Sequence, residues 1–148
     1  MSASAIRLSP QALAEACAEA MWAGDAVAQR LGMARERIAP GEATLSMEIT
    51  EAMLNGHGLA HGGYVFTLAD TAFAYACNGY DQRTVGHQAA ITYLAPAHRG
   101  DRLTAAAREV HRAGRGGVYD VSITNQRGEP VAEFRGHART VKGTHLPD

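Results

Sequence analysis

A chain of 148 residues, 46% of them hydrophobic, is long enough for one ordinary core and short for two domains. Its 14 basic and 15 acidic residues leave a formal net charge of −1, which excludes a global basic field directed at nucleic acid or an acidic membrane surface. Any anion binding must therefore be local.

The start, Met1 to Arg7, lacks the basic beginning and long apolar run of a secretion signal, and no apolar stretch reaches membrane-spanning length without interruption. A protein without membrane contact is expected. Ser9 before Pro10 reads as an N-cap with proline at the first helical position, and Leu13, Ala16, Cys17, Ala20 and Met21 recur at helical spacing, which predicts a helix over about 10–23. Asp25 caps a second short helix that stops near Gly32, and Pro40-Gly41 marks a turn. From Ala43 to Glu51 apolar Leu45, Met47 and Ile49 alternate with polar neighbours, the pattern of a half-buried strand. After the Asn55-Gly56-His57-Gly58 loop comes an apolar segment, Gly62 to Cys77, whose length suits a buried helix ended by Asn78-Gly79. Cys17 and Cys77 both fall in helix-like apolar stretches. Their number and spacing suggest neither a disulfide framework nor a zinc site, and they suit a reduced, cytoplasmic protein.

The remaining half reads as four strands, about 85–95, 101–111, 117–125 and 130–140, with short connections that favour antiparallel pairing. No repeat, linker or low-complexity segment divides the chain, so 1–148 reads as a single domain of α+β class. A helix that is apolar all round needs cover on every side, and one sheet covers only one of them. A dimer or larger assembly follows, most simply about a two-fold axis.

Between Glu51 and Asp81 the chain carries one formally charged residue, Asp70. A carboxylate among apolar neighbours costs several kcal/mol unless it is paired or its pKa rises. Asn55, His61, Gly62-Gly63 and Asp70 cluster in sequence, with the glycines where the long helix begins. Unpaired N–H groups and the positive end of the helix dipole point outward there, and Gly62 lets an oxygen approach its N–H closely. Such an oxyanion donor is worth about 3 to 4 kcal/mol in a transition state. Asn55 and His61 can add polar contacts to the same oxygen, and a carboxylate of raised pKa can act as general base or nucleophile. Together these suit hydrolysis at an acyl carbon. Gly62 and Asp70 are eight positions apart, a rise of ~12 Å on one helix, whereas both must lie within about 3 to 3.5 Å of the reacting atoms. If both act on one acyl carbon, they come from different subunits. Other readings stand beside these: Asp70 as a cap restarting a kinked helix, the glycines as a tight helix start, and Tyr64, Phe66, Phe73 and Tyr75 as core or interface aromatics. His57 and His61 invite a metal reading, but no third ligand is near in sequence.

Asn55-Gly56-His57, His61-Gly62-Gly63 and the run Phe66 to Asn78 closely resemble the signature of the PaaI-type hotdog-fold thioesterases, the phenylacetyl-CoA thioesterases of aromatic catabolism. The likeness continues through Gly117-Val118-Tyr119-Asp120 and Val131 to Gly136. It implies a hotdog fold over about 43–142, with a long central helix wrapped by a curved five- to six-stranded antiparallel sheet, assembled as dimers and tetramers. It also implies hydrolysis of an acyl-CoA thioester, phenylacetyl- or hydroxyphenylacetyl-CoA, with no metal or redox cofactor and coenzyme A as part of the substrate. By the same resemblance Asp70 is the catalytic carboxylate, Gly62 the backbone donor, and Asn55 and His61 hold the carbonyl. Some relatives add a hydroxyl that orients water; the matching positions here are Ala74 and the neighbourhood of Gly86 and His87, so base and nucleophile both stay open. Gly63, Arg112 and Arg115 are candidate substrate contacts, the arginines for phosphate, although charges on a hairpin turn are usually only solvated. The competing functions are a hotdog hydratase or dehydratase, which would want a histidine poised beside the carboxylate, and a non-catalytic acyl-CoA-binding module.

Overall fold

The computed structural model describes residues 6–148; Met1 to Ala5, on which the reading of the chain's start partly rests, lie outside them. Helix α1 (Pro10–Ala23) begins as its sequence dictates, with Ser9 Oγ accepting the Ala12 N–H at 3.1 Å and proline in the first turn. Asp25 Oδ1 accepts the Ala28 N–H at 3.1 Å and starts the short α2 (Ala26–Arg30). Among the described residues no helix is long and apolar enough to cross a membrane.

Six strands follow: β1 (Ala34–Ala39), β2 (Glu42–Glu48), β3 (Thr84–Tyr93), β4 (Arg102–Ala113), β5 (Gly116–Thr124) and β6 (Pro130–Thr140). They form one antiparallel sheet in the order β1-β2-β4-β5-β6-β3. The sheet therefore starts at Ala34, ahead of the expected 43. β1 escapes a reading by apolar alternation because it is an edge strand with three charged residues, Arg35, Glu36 and Arg37, and a register break between Arg35 and Arg37. Arg35 pairs with Glu19 at 3.0 Å, Arg37 pairs with Glu42, and Glu36 accepts from Ser46. β2 stops at Glu48, short of the expected Glu51, because Glu51–Met53 form a 3-10 turn instead.

The long helix α3 (Gly62–Cys77) touches all six strands, β2, β4 and β5 most extensively. Val65, Leu68, Ala69, Ala72, Phe73, Ala76 and Cys77 bury one flank against Leu45, Met47, Leu103, Val121, Ile123 and Phe134 of the sheet. Phe73 needs unusual room: a Cβ at Gly86 or Gly136 would lie 2.8 Å from its ring, so both strands carry glycine opposite it. The other flank of α3, along Gly63, Thr67, Asp70 and Ala74, has no comparable cover. Beside it runs β3, the second edge strand, exposed along most of its length. The helix is thus half covered by its own sheet, not buried on every side within one chain.

Candidate active site

α3 is continuous through Asp70, so the reading of that residue as a cap for a restarted helix falls away. Asp70 accepts no hydrogen bond and forms no ion pair among the described residues. Its neighbours Thr67 and Thr71 turn inward along the helix, their hydroxyls donating to the carbonyls of Gly63 (2.8 Å) and Thr67 (2.7 Å). Desolvation at the mouth of a cavity raises the Asp70 carboxyl above its ordinary value, although part of the residue meets solvent. A free, partly desolvated carboxylate is equipped to take a proton or to attack an electrophile.

That cavity, about 460 Å³, also has Phe73, Ala74, Cys77, Thr84 and Gly86 in its wall. Ala74 and Gly86 confirm that no hydroxyl stands at those two positions. The one hydroxyl in the wall, Thr84 Oγ1, donates to the Gln82 carbonyl at 3.0 Å. Cys77 is the wall's other nucleophile type, but burial pushes its thiol up to about 12, so it stays protonated at neutral pH and makes a poor attacker.

At the opposite end of α3, His61 is the N-cap. Its Nδ1 accepts the Gly63 N–H at 2.9 Å, which commits that N–H and leaves the Gly62 N–H without an acceptor among the described residues. With Nδ1 accepting, the neutral His61 ring carries its proton on Nε2, as a donor. Asn55 Oδ1 accepts the N–H groups of His57 (2.9 Å) and Leu59 (3.2 Å), which orients the side-chain amide so that its Nδ2 donors stay unengaged. Asn55 and Gly62 line one second cavity of about 460 Å³, together with Tyr93 and Leu94 at the end of β3. Asn55 and Gly62 border one space and Asp70 another, while His61 caps the helix without lining either. His57 is the loop residue whose backbone closes the turn. Among the described residues no group of three or more His, Cys, Asp or Glu side chains is arranged to hold a metal ion.

Arg112 and Arg115 stand apart from both, on the β4–β5 hairpin. The Arg112 guanidinium stacks 3.7 Å above the Tyr80 ring and donates to Gln82 Oε1 at 3.2 Å. With Arg115 it borders a shallow groove that shares Cys77 and Thr84 with the Asp70 cavity. Sequence spacing gave no sign of Tyr93, thirty-one residues beyond the glycine it serves. Its hydroxyl donates to the Gly62 carbonyl at 2.7 Å, and a Cβ at Gly62 would lie 2.8 Å from its ring. Nor did spacing point to His145, which reaches the Asp70 cavity from the C-terminal segment.

Comparison with known proteins places this arrangement. The family model of the thioesterase superfamily matches residues 57–132, the span from the loop to β6. The chain is 45% identical over 127 residues to the acyl-coenzyme A thioesterase PaaI of Escherichia coli, covering 86% of this chain and 91% of that protein. The structure of the E. coli PaaI protein from the phenylacetic acid degradation operon superposes with a TM-score of 0.90 at 43% identity, over 92% of this chain and 99% of that one. A Streptococcus mutans protein bound to acetyl-CoA superposes with a TM-score of 0.73 at 29% identity, over 76% of this chain and 90% of that one. The chain belongs to the thioesterase superfamily and, within it, to the PaaI-type hotdog-fold acyl-CoA thioesterases.

Proposed function

We propose that this acyl-CoA thioesterase hydrolyses aryl-acetyl thioesters, phenylacetyl- or hydroxyphenylacetyl-CoA, at a site that two subunits share. The observation that carries the proposal is the separation of the two active groups: an unpaired carboxylate and an unengaged N–H, eight residues apart on one continuous helix, facing two different cavities. Eight residues are a rise of ~12 Å, more than an aspartate side chain spans. Two α3 helices running antiparallel across a two-fold axis bring Asp70 of one chain to Gly62 of the other, and the uncovered flank of α3 is free to meet such a partner.

In this site the Gly62 N–H, with Asn55 Nδ2 on the same cavity and His61 fixing the helix start as its cap, holds the thioester carbonyl and the oxyanion that develops on it. Asp70 takes a proton from water as the water oxygen bonds to the acyl carbon; the carbon–sulfur bond then breaks and the thiolate of coenzyme A recovers the proton. Attack by the carboxylate itself, giving a mixed anhydride that water opens, uses the same groups. Neither route needs a metal or redox cofactor, and coenzyme A enters only as part of the substrate. Two features favour an acyl-CoA: the name of the E. coli relative and the acetyl-CoA held by the S. mutans structure. The aryl-acetyl choice rests on the phenylacetic acid operon of the E. coli structure, and it implies a cytoplasmic place in phenylacetate catabolism. Arg112 and Arg115 serve the coenzyme A phosphates, with Tyr80 holding the Arg112 guanidinium flat. Two dimers pair into a tetramer.

The test is thiol release over a panel of aromatic, short-chain and long-chain acyl-CoAs. Fastest turnover on the aryl-acetyl esters is expected. Asp70→Asn should cut release by orders of magnitude while leaving ligand affinity, whereas a wild-type protein that binds the panel and frees no thiol is a binding module.

A further inference from the structure

The chain leaves β6 and turns back over the mouth of the Asp70 cavity. The Val141 N–H donates to the Arg83 carbonyl at 2.7 Å, the Arg83 N–H to the Gly143 carbonyl at 3.0 Å, and Arg83 Nε to the Thr144 carbonyl at 3.2 Å. Asp81 Oδ1 then accepts the N–H groups of both His145 (2.8 Å) and Leu146 (3.0 Å) from a backbone held at φ +55°. The segment is therefore a fixed wall of the cavity, and His145 is its side chain there.

The protonation of that ring follows from its partner. Asn78, buried at the end of α3, has its amide orientation set on both sides: Nδ2 donates to the carbonyls of Ala74 (2.8 Å) and Thr84 (3.0 Å), and Oδ1 accepts the Thr84 N–H at 2.9 Å. The His145 Nε2, 2.7 Å from that Oδ1, must then be the donor, which leaves Nδ1 of the neutral ring as a lone-pair acceptor. Burial lowers the imidazole below its ordinary range, so the neutral form holds at pH 7. Nδ1 has no partner among the described residues. Yet no buried side-chain nitrogen or oxygen among them is left unpaired, so this atom is reachable from outside the protein matrix. The rest of the wall includes Met21, Phe73, Cys77, Val85 and Val141. The polar side chains in that wall besides Asp70 and His145 are Arg83, Asn78 and Thr84, and of these Arg83 Nε is already bound to the Thr144 carbonyl, Asn78 to Thr84 and Thr84 Oγ1 to Gln82. Asn78 lies eight residues after Asp70, a rise of ~12 Å along α3, and its amide stays at that end of the helix beside the Ala74 carbonyl, so the ring it holds stands on the order of 10 Å from the carboxylate. That is too far to share a hydrogen bond with the reacting atoms and about the reach of a small aromatic acyl group.

We infer that the Asp70 cavity receives the distal end of the acyl group and that His145 is a specificity residue, accepting a hydrogen bond from a hydroxyl or amino donor carried there. The inference rests on the reading of Asp70 as the catalytic carboxylate. It is tested by kcat/KM on 3- and 4-hydroxyphenylacetyl-CoA against the matching methylphenylacetyl-CoA esters, which are close in size and lack the donor. One neutral hydrogen bond predicts that the unmodified enzyme prefers a hydroxylated ester about 3- to 10-fold at the position that reaches Nδ1. His145→Phe keeps a flat ring and removes the acceptor, and the preference should collapse to near unity. A wild-type ratio of one or below at both positions overturns the inference, as does a ratio that His145→Phe leaves in place. Because the first of these is measured on the unmodified enzyme, an unstable variant cannot conceal failure. Absence of thiol release from every ester would instead bring down the proposed function, and this inference with it.

Discussion

Asp70 links activity and stability with opposite signs. Its carboxyl is raised by desolvation, so the folded protein favours the protonated form more than the unfolded chain does. The stability this contributes is complete below the ordinary carboxyl value of 3.8 and is lost as pH rises through the higher folded value. At neutral pH the ionised group is a burden on the fold and, under the proposed mechanism, a requirement for the chemistry. Asp70→Asn should therefore lower kcat by about 10²- to 10⁴-fold and yet raise the melting temperature at pH 7, with that advantage vanishing near pH 3. For the wild type, kcat should climb with pH through an apparent pKa above 3.8. A variant that is inactive and also less stable at pH 7 would assign Asp70 a structural hydrogen bond that it does not have here. Tyr93 is the corresponding residue at the other end of α3. Its hydroxyl holds the Gly62 carbonyl at 2.7 Å while the ring packs against the glycine, so it fixes the helix start that carries the proposed oxyanion donor. Tyr93→Phe, which deletes only that bond, is expected to lower kcat about 3- to 10-fold with KM little changed. A change confined to KM would make Tyr93 a wall of the substrate cavity and nothing more.

Phe73 shows how the elements are locked together and why the sequence reveals only half of the lock. Its ring meets Tyr119 and Phe134 at 5.6 and 5.8 Å between centroids and fills the space left by Gly86 on β3 and Gly136 on β6. Phe73→Ala should cost about 3 to 5 kcal/mol by chemical denaturation. Gly136→Ala, whose Cβ would sit 2.8 Å from the ring, should cost about 1 to 3 kcal/mol by overpacking. Combined with Phe73→Leu, Gly136→Ala should cost less than the two single changes add to, since the smaller side chain vacates the contested space. Strict additivity would mean that ring and glycine do not share it. The length of an apolar run made α3 legible, and strand-like runs between short turns made five of the strands so. These signals missed β1, whose Arg35, Glu36 and Arg37 protect an edge and interrupt alternation. Caps were legible at Ser9 and Asp25 because capping is local in sequence. The candidate site residues Asn55, His61, Gly62 and Asp70 could be proposed together for a similar reason, lying within sixteen residues of one another on a loop and the helix it starts. Tyr93 and His145 could not be, since the fold brings them to Gly62 and Asn78 from thirty-one and sixty-seven residues away. No spacing rule reaches that far.

At the scale of the whole molecule the two sheet edges are treated in opposite ways. β1 is short and charged, whereas β3 has ten residues and no Lys, Arg, Asp or Glu, with Val85, Tyr93 and the following Leu94 each about half exposed. An edge left long and uncharged is a place for another strand. It lies beside the uncovered flank of α3 that carries Asp70, so one partner could cover both. Ala89→Glu, a charge on exposed β3, should halve the mass measured by light scattering and remove thiol release while far-UV circular dichroism stays native. The sharper experiment asks where the catalytic groups come from. Asp70→Asn and Gly62→Val chains are each expected to be inactive alone, the second because its side chain displaces Tyr93 and crowds the donor. Mixed in equal amounts and reassembled at random, they form heterodimers in half of all pairs. If a site takes Asp70 from one chain and Gly62 from the other, each heterodimer holds one site in which both groups are intact and one in which both are altered. Activity should then return to about a quarter of wild type. If both groups came from the same chain, every site in the mixture would contain one altered group, and reassembly would restore nothing. A quarter against zero separates the shared site from the single-chain one without reference to substrate, because both arms use the same ester.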